Sequence, residues 1–176
     1  VELAPEGRAT LPALVRDRAL TIRLVGRPDR WNRLPAHVDI LEGALIVQGL
    51  GHAAAQTDGV CLTPLLAAEQ KARAARAGIW SSSDYVLDAK DGAALTERLG
   101  QHILALGRVD PARIHRGRDY LNFARYWKSG LSLIIAEKDW PMFAGGAPAA
   151  SFVGKRLRAR GRLEWRSGPA LLAGPD

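Results

Sequence analysis

A chain of 176 residues with 47% apolar and 24% charged side chains has room for one domain or two small ones and the composition of an ordinary globular protein. No apolar run approaches the ~18 residues that cross a bilayer as a helix, which excludes a transmembrane helix within it. A formal charge of +7 and a pI near 10.2 favour an anionic partner, whether nucleic acid, an acidic lipid surface or an acidic protein face.

The excess is uneven: residues 1–83 carry 10 basic and 8 acidic side chains, and residues 84–176 carry 15 and 10. The single cysteine, Cys61, makes an intrachain disulfide impossible and leaves the compartment open. The chain begins at Val1 with no charged-then-apolar leader. The expectation is a fragment from which any targeting segment was removed or in which it was never included.

In chain order, residues 5–18 read as a helix with Leu11, Leu14 and Val15 on one side, Pro12 delaying its start or bending it. Leu20, Ile22 and Leu24 alternate with Thr21, Arg23 and Val25, and Leu34, Ala36 and His37-Val38 resume the pattern, so strands are expected at 19–25 and 34–38. Between them D-R-W-N-R, residues 29–33, forms a hairpin tip on this reading. Asp29 and Asn32 are turn formers, because a short polar side chain bonds its own backbone and Asn tolerates positive φ. The turn leaves two arginines and an indole unexplained. L-E-G-A-L-I-V-Q-G, 41–49, puts Leu41, Ala44 and Leu45 on a helical face and stops at Gly49 or Gly51. The stretch 63–78, T-P-L-L-A-A-E-Q-K-A-R-A-A-R-A-G, predicts the clearest helix, N-capped by Thr63, with Pro64 at its first position and Gly78 closing it.

After Trp80 the polar S-S-S-D marks a boundary, and K-D-G-A-A-L-T-E-R-L-G, 90–100, reads as a short connecting helix. Beyond it the period changes to two. Strands are expected at 102–110, 119–125, 131–137, 155–165 and 169–173, with the turn R-G-R-D, 116–119, joining the first pair and one helical turn around Trp140–Phe143. Short antiparallel strands with one interposed helix suggest a small barrel of OB type.

The order of strand, D-R-W-N-R-L turn, strand, A-L-I-V-Q-G-L helix and L-L-A-A-E-Q-K-A-R-A-A-R-A-G-I-W resembles the staphylococcal nuclease (thermonuclease) family over roughly residues 20–80. The resemblance implies an OB-type barrel for residues 1–83 and an extracytoplasmic location. It places Arg33 where the family has one of two catalytic arginines, which stabilise charge developing on the scissile phosphate. A guanidinium suits that task, because its planar fork of donors matches phosphate oxygens. Asp29 and Arg30 match as turn residues, while Trp31 replaces the usual tyrosine and Asn32 the usual glycine.

The family's calcium-binding aspartates, second arginine and general-base glutamate come from strands before the first helix. Here that helix begins almost at residue 1, and Glu2 and Glu6 align with its start. The two nucleotide-contacting tyrosines of the family fall on Ala55 and Thr57. The active site is therefore incomplete in this chain: no metal ligand is assigned, and calcium is expected only if its ligands lie upstream.

Residues 101–176 are similar, more loosely, to the domain that follows nuclease-like domains in some bacterial proteins. Y-L-N-F (Tyr120–Phe123), G-K-R-L-R-A-R-G and a G-P-x-L ending carry that likeness. They are also similar to OB-type nucleic-acid-binding modules, a likeness of fold from which function does not follow. The family strand usually continues past this point, so the C-terminus also reads as trimmed. The expected organisation is two OB-type barrels: residues 1–83, a linker and helix over 84–100, and residues 101–176.

For Arg33 the ordinary alternative is a turn arginine that pairs with Asp29 and covers Trp31. Glu69 reads as a helix carboxylate bonded to backbone or to a basic neighbour, and Trp80 as a plug at the barrel bottom. In K-R-L-R-A-R-G-R-L-E-W-R, Arg156, Arg158, Arg160 and Arg162 share one strand face and Leu157, Ala159, Leu163 and Trp165 the other. Guanidiniums roughly 6.5–7 Å apart would neutralise successive phosphates with strong salt dependence; the alternative is a solvated face balanced by Glu164 and nearby acids. Arg30 joins them as a candidate binding residue. Tyr120, Phe123, Tyr126 and Trp127 are stacking candidates, Tyr120 being equally suited to a core position. His37, His52, His102 and His115 lack ligand spacing and with Cys61 make no zinc pattern. Neither a Gly-x-Ser-x-Gly elbow, nor a Walker loop, nor a dinucleotide fingerprint is present.

Two functions follow. In the first, the chain is a nuclease homologue that does not cleave in this form and serves as a basic binding or assembly subunit of a larger complex, with nucleic acid or an acidic protein or lipid surface as partner. In the second, an upstream segment restores the metal ligands and the base, and the protein is a calcium-dependent nuclease with Arg33 on the phosphate.

Overall fold

The computed structural model describes residues 1–24, 34, 36–38, 41–54 and 59–173. They divide into two compact units, Val1–Ser83 and Asp84–Asp176, each described by itself.

In the first unit β1 (Glu2–Leu3) leads into α1 (Pro5–Val15). Pro5 starts the helix where its missing N–H costs nothing, and Arg16 beyond Val15 is extended. Next come β2 (Ile22–Leu24) and β3 (Ala36–Val38), paired antiparallel with Arg23 opposite His37. They are shorter than the strands expected at 19–25 and 34–38. D-R-W-N-R lies between them and outside the described residues.

Helix α2 (Leu41–Val47) ends on Gly49, whose φ of +69° is the left-handed close glycine supplies. The Gly49 N–H bonds the Ile46 carbonyl and the Leu50 N–H the Leu45 carbonyl, which satisfies the last carbonyls of the turn. Strand β4 (Gly51–His52) then pairs antiparallel with β1.

Helix α3 (Gly59–Ala74) contains Pro64 rather than beginning at it, so Thr63 is not its N-cap. Pro64 removes the bond its N–H would make to residue 60 and crowds that residue's carbonyl, while Leu62 packs against the buried cluster of Ile46, Ala53 and Leu65. Burial thus carries the helix across the proline. Its close also moves: Arg76 takes the left-handed φ (+50°), and the Ala77 N–H reaches back to the Ala72 carbonyl. Gly78 serves another need, a backbone approach to Gly49 that any Cβ would block, sealed by the Ile79 N–H on the Gly49 carbonyl at 2.9 Å.

The second unit is built on β5 (Val86–Asp88), β6 (His102–Arg108), β7 (Ala112–His115), β8 (Arg118–Asn122), β9 (Ser132–Ala136), β10 (Arg156–Trp165) and β11 (Pro169–Ala173), with α4 (Gly92–Glu97) and α5 (Trp140–Ala144). They form one seven-stranded mixed sheet in the order β5-β6-β10-β11-β9-β8-β7. The pairs β5–β6 and β11–β9 are parallel and the others antiparallel. Strands β6 and β7, far apart in that order, are consecutive in the chain. Val109–Pro111 joins them, and its backbone stays bonded: the Val109 N–H to the Lys155 carbonyl at 3.0 Å and the Asp110 N–H to the Asn122 carbonyl at 2.9 Å.

Arg116 and Gly117, both at positive φ (50° and 71°), make the two-residue turn between β7 and β8, the turn whose twist suits a hairpin. Residues 84–100 are more than a connection: β5 pairs with β6, and the Asp91 carboxylate caps α4 by accepting the Ala93 and Ala94 N–H groups. The core gathers Leu95, Ile103, Ala105, Leu121, Phe123, Leu131, Ile135, Ala159, Leu163 and Leu171.

The fold is therefore α+β, with a seven-stranded mixed sheet and five α-helices among the described residues. The pair of barrels expected from the sequence is not what the described residues of the first unit form: they make two two-stranded ladders, β1–β4 and β2–β3.

Candidate functional site

Arg30 and Arg33, with Asp29, Trp31 and Asn32, lie outside the described residues. Among the described residues of the first unit, the buried polar groups His37 and Glu69 are bonded within the unit. His37 on β3 is buried, its Nδ1 3.0 Å from Glu42 Oε2. Glu69, only 1% exposed, accepts the Ala53 N–H at 3.0 Å and lies 3.7 Å from Arg73, as expected of a helix carboxylate tied to backbone and a basic neighbour. The Arg73 guanidinium in turn sits 4.9 Å over the ring of the buried Trp80.

Strand β10 carries the second candidate. Ala159 and Leu163 are buried on one face, while Arg156, Arg158 and Arg162 are exposed on the other and Arg160 is half-buried. Alternation of side chains across the strand puts all four arginines on the outer face. The register adds to them at the two ends: Arg156 stands opposite Arg108 and Arg162 opposite His102 on β6, while Arg158 and Arg160 stand opposite Leu106 and the buried Leu104. The like charges of Arg156 and Arg108, directly opposed across the ladder, cost stability, a cost that an anion beside them would relieve. Arg108 also donates to the Gly154 carbonyl at 2.7 Å, which fixes one end of the strip. Arg158 and Arg160 have interactions of their own with the protein.

Of the sequence's stacking candidates, Phe123 is fully buried and Tyr120 half-buried, whereas Tyr126 (59% exposed) and Trp127 (38%) face solvent. Trp165 was expected beside Leu163 on the inner face, yet it is 55% exposed. It occupies the last rung of β10, opposite Pro169, where the ladder ends and no further strand covers it. Its place just before the R-S-G turn is the sequence signal that points to this.

On β8 a buried carboxylate has a perturbed acidity. Asp119 is 4% exposed, and burial first, then the charge of Glu137, holds its pKa above the ordinary value. Among the described residues no group of three or more His, Cys, Asp or Glu side chains is placed to hold a metal ion, and no helix is long and apolar enough to cross a membrane.

No protein-family model matches this chain, and none of the curated proteins compared with it is similar.

Proposed function

We propose that this chain is a thermonuclease-like protein serving, in this form, as a non-catalytic binding or assembly subunit, and that the outer face of β10 engages an anionic polymer, nucleic acid foremost. The observation that carries the reading is the strip of Arg156, Arg158, Arg160 and Arg162 on a single strand face, extended across the register by Arg108 and His102. Guanidiniums at roughly 6.5–7 Å intervals fit a chain of phosphates, each taken by a planar pair of donors. The excess of base over acid in residues 84–176, 15 against 10, supplies the long-range attraction.

Two features support the finer architecture. Reading β6 and β7 as halves of one bent strand makes the sheet of the second unit return to where it began, and the helix between β9 and β10 then falls where an OB-type barrel has it. In the first unit, the antiparallel pair β2–β3 bracketing D-R-W-N-R, followed by α2 and α3, keeps the order of the nuclease resemblance. Arg30 and Arg33 belong to this reading as phosphate ligands.

The test is fluorescence anisotropy with labelled DNA over a range of salt concentrations, beside an Arg156→Ala/Arg162→Ala variant. Affinity is expected to fall steeply with salt. The slope of log K against log salt should become shallower by about 0.7–0.9 for each contact removed. Binding that ignores salt, or a variant with the parent's slope, would remove the strip from the function. Calcium-dependent cleavage of the bound DNA would overturn the non-catalytic assignment.

A further inference from the structure

Exposed rings and cations meet at one end of the second unit's sheet, away from the arginine strip's own rungs. The segment after β8 contributes Arg125, Tyr126, Trp127 and Lys128, all exposed. The turn between β10 and β11 contributes Trp165 and Arg166. The two are in direct contact: a Cβ on Gly168 would lie 3.0 Å from the Trp127 carbonyl oxygen and 3.6 Å from Trp127 Cε3, an approach that glycine makes without displacing its neighbour. Both segments are held from within. The Ser129 hydroxyl and N–H both bond the Tyr126 carbonyl, at 2.7 and 2.9 Å, and the Arg166 N–H bonds the Gly168 carbonyl at 2.8 Å.

The rings of Tyr126 and Trp127 are 6.3 Å apart and inclined by 43°, and the Lys128 ammonium lies 5.2 Å from the centre of the Trp127 ring. Trp and Tyr beside Lys and Arg also populate lipid–water interfaces; the β10 arginines, spaced at strand intervals like a run of phosphates, favour a polymer here. Such a patch suits unpaired bases, which stack on aromatic faces while cations meet the phosphates between them.

We infer that Tyr126, Trp127 and Trp165 form a stacking platform for single-stranded nucleic acid, with Arg125, Lys128 and Arg166 on its backbone. The inference deepens the anionic-polymer reading and rests on it: the β10 strip gives charge-driven attachment, and the ring cluster selects strands whose bases are free. On binding, the Lys128 side chain leaves the Trp127 face to the base and turns to the adjacent phosphate. Arg166, which pairs with Glu164 at 3.0 Å, is exchanged to a phosphate in the same step.

The experiment is a titration of the full chain's tryptophan fluorescence with oligothymidylate, a DNA duplex of equal length, heparin, and phosphatidylserine vesicles. The parent is compared with Trp165→Ala and Tyr126→Ala, both at exposed positions, whose folding is checked by thermal melts. Oligothymidylate is expected to quench the emission and to bind more tightly than duplex. Each substitution should weaken oligothymidylate by about 5- to 150-fold and leave heparin binding unchanged. Equal loss for heparin and oligothymidylate, or no loss for either, overturns the platform. Heparin binding without oligothymidylate binding overturns the platform and leaves the β10 strip standing, and binding of neither overturns both. Quenching by vesicles alone would assign the rings to a membrane and overturn the inference.

Discussion

The two units differ in how much apolar core stands beside their buried polar groups. In the second, the sheet encloses Leu121, Phe123, Leu131, Ile135, Leu163 and Leu171, all nearly inaccessible, alongside the buried Asp119 and the hydrogen-bonded pair Asn122 and Ser132. In the first, the apolar cluster is the smaller Ile46, Ala53 and Leu65, Glu69, His37 and His52 are buried as well, and Ile22 and Leu24 on β2 remain exposed. A core of apolar side chains loses stability in proportion to what is removed, because the attraction is non-directional. A core tied by buried polar groups is less graded, because a donor or acceptor left unmatched inside costs its full desolvation.

The largest expected effect lies in the second unit. Phe123 is fully buried, its ring pressed so close to Gly107 that a Cβ there would be 2.8 Å from Phe123 Cδ1. Phe123→Ala should lower the unfolding free energy by about 3–5 kcal/mol, the range for emptying such a site, read as a shift of the urea midpoint with the slope unchanged. A loss under about 1 kcal/mol would mean that the sheet does not depend on this core.

The first unit gives a smaller effect of another kind. Glu69→Gln keeps the shape and an oxygen for the Ala53 N–H, but removes the charge facing Arg73. The cost should be about 1.5–3 kcal/mol, as for a hydrogen bond to a charged group. Raising salt should not rescue it, since screening acts weakly on a buried pair. A neutral result would show that the geometry around α3 is held by packing alone, and the contrast between the units would disappear.

The same contrast explains what the sequence made legible. Period-two alternation from His102 onward located most strands of the second unit within a few residues, because a half-buried sheet imposes that period on its side chains. The short strands β5 and β7 were missed, since three or four residues carry too little pattern. The outward arginine face of β10 followed from spacing alone, but the exposure of Trp165 did not, because it depends on where the ladder ends. In the first unit, rules for helix ends put the start of α3 at Thr63-Pro64. The helix starts at Gly59 instead, the packing of Leu62 against the cluster of Ile46 and Leu65 offsetting the lost bond and the crowding that Pro64 brings. Arg30 and Arg33, the residues that the nuclease resemblance singles out, lie outside the described residues, so that part of the sequence reading stands on the resemblance alone.

The smallest expected effect concerns sign, and it sets one buried carboxylate against another. Glu69 in the first unit meets a backbone N–H and an arginine. Asp119 in the second is buried with Glu137, a charge of its own sign, beside it, and its pKa is raised above 3.8. Folded protein therefore retains the Asp119 proton to higher pH than unfolded chain does. Between the ordinary and the folded pKa the folded state binds more protons, so this group's contribution turns unfavourable as pH rises through that window and stays so above it. Below 3.8 both states are protonated and the contribution vanishes. Asp119→Asn, uncharged throughout, should match the parent in acid and become the more stable of the two as pH rises to neutrality, seen as a widening gap between urea midpoints. Should the parent instead gain on the variant with rising pH, the ionised carboxylate would have a favourable partner in the fold. Asp119 would then belong with Glu69 as a buried charge that supports its unit.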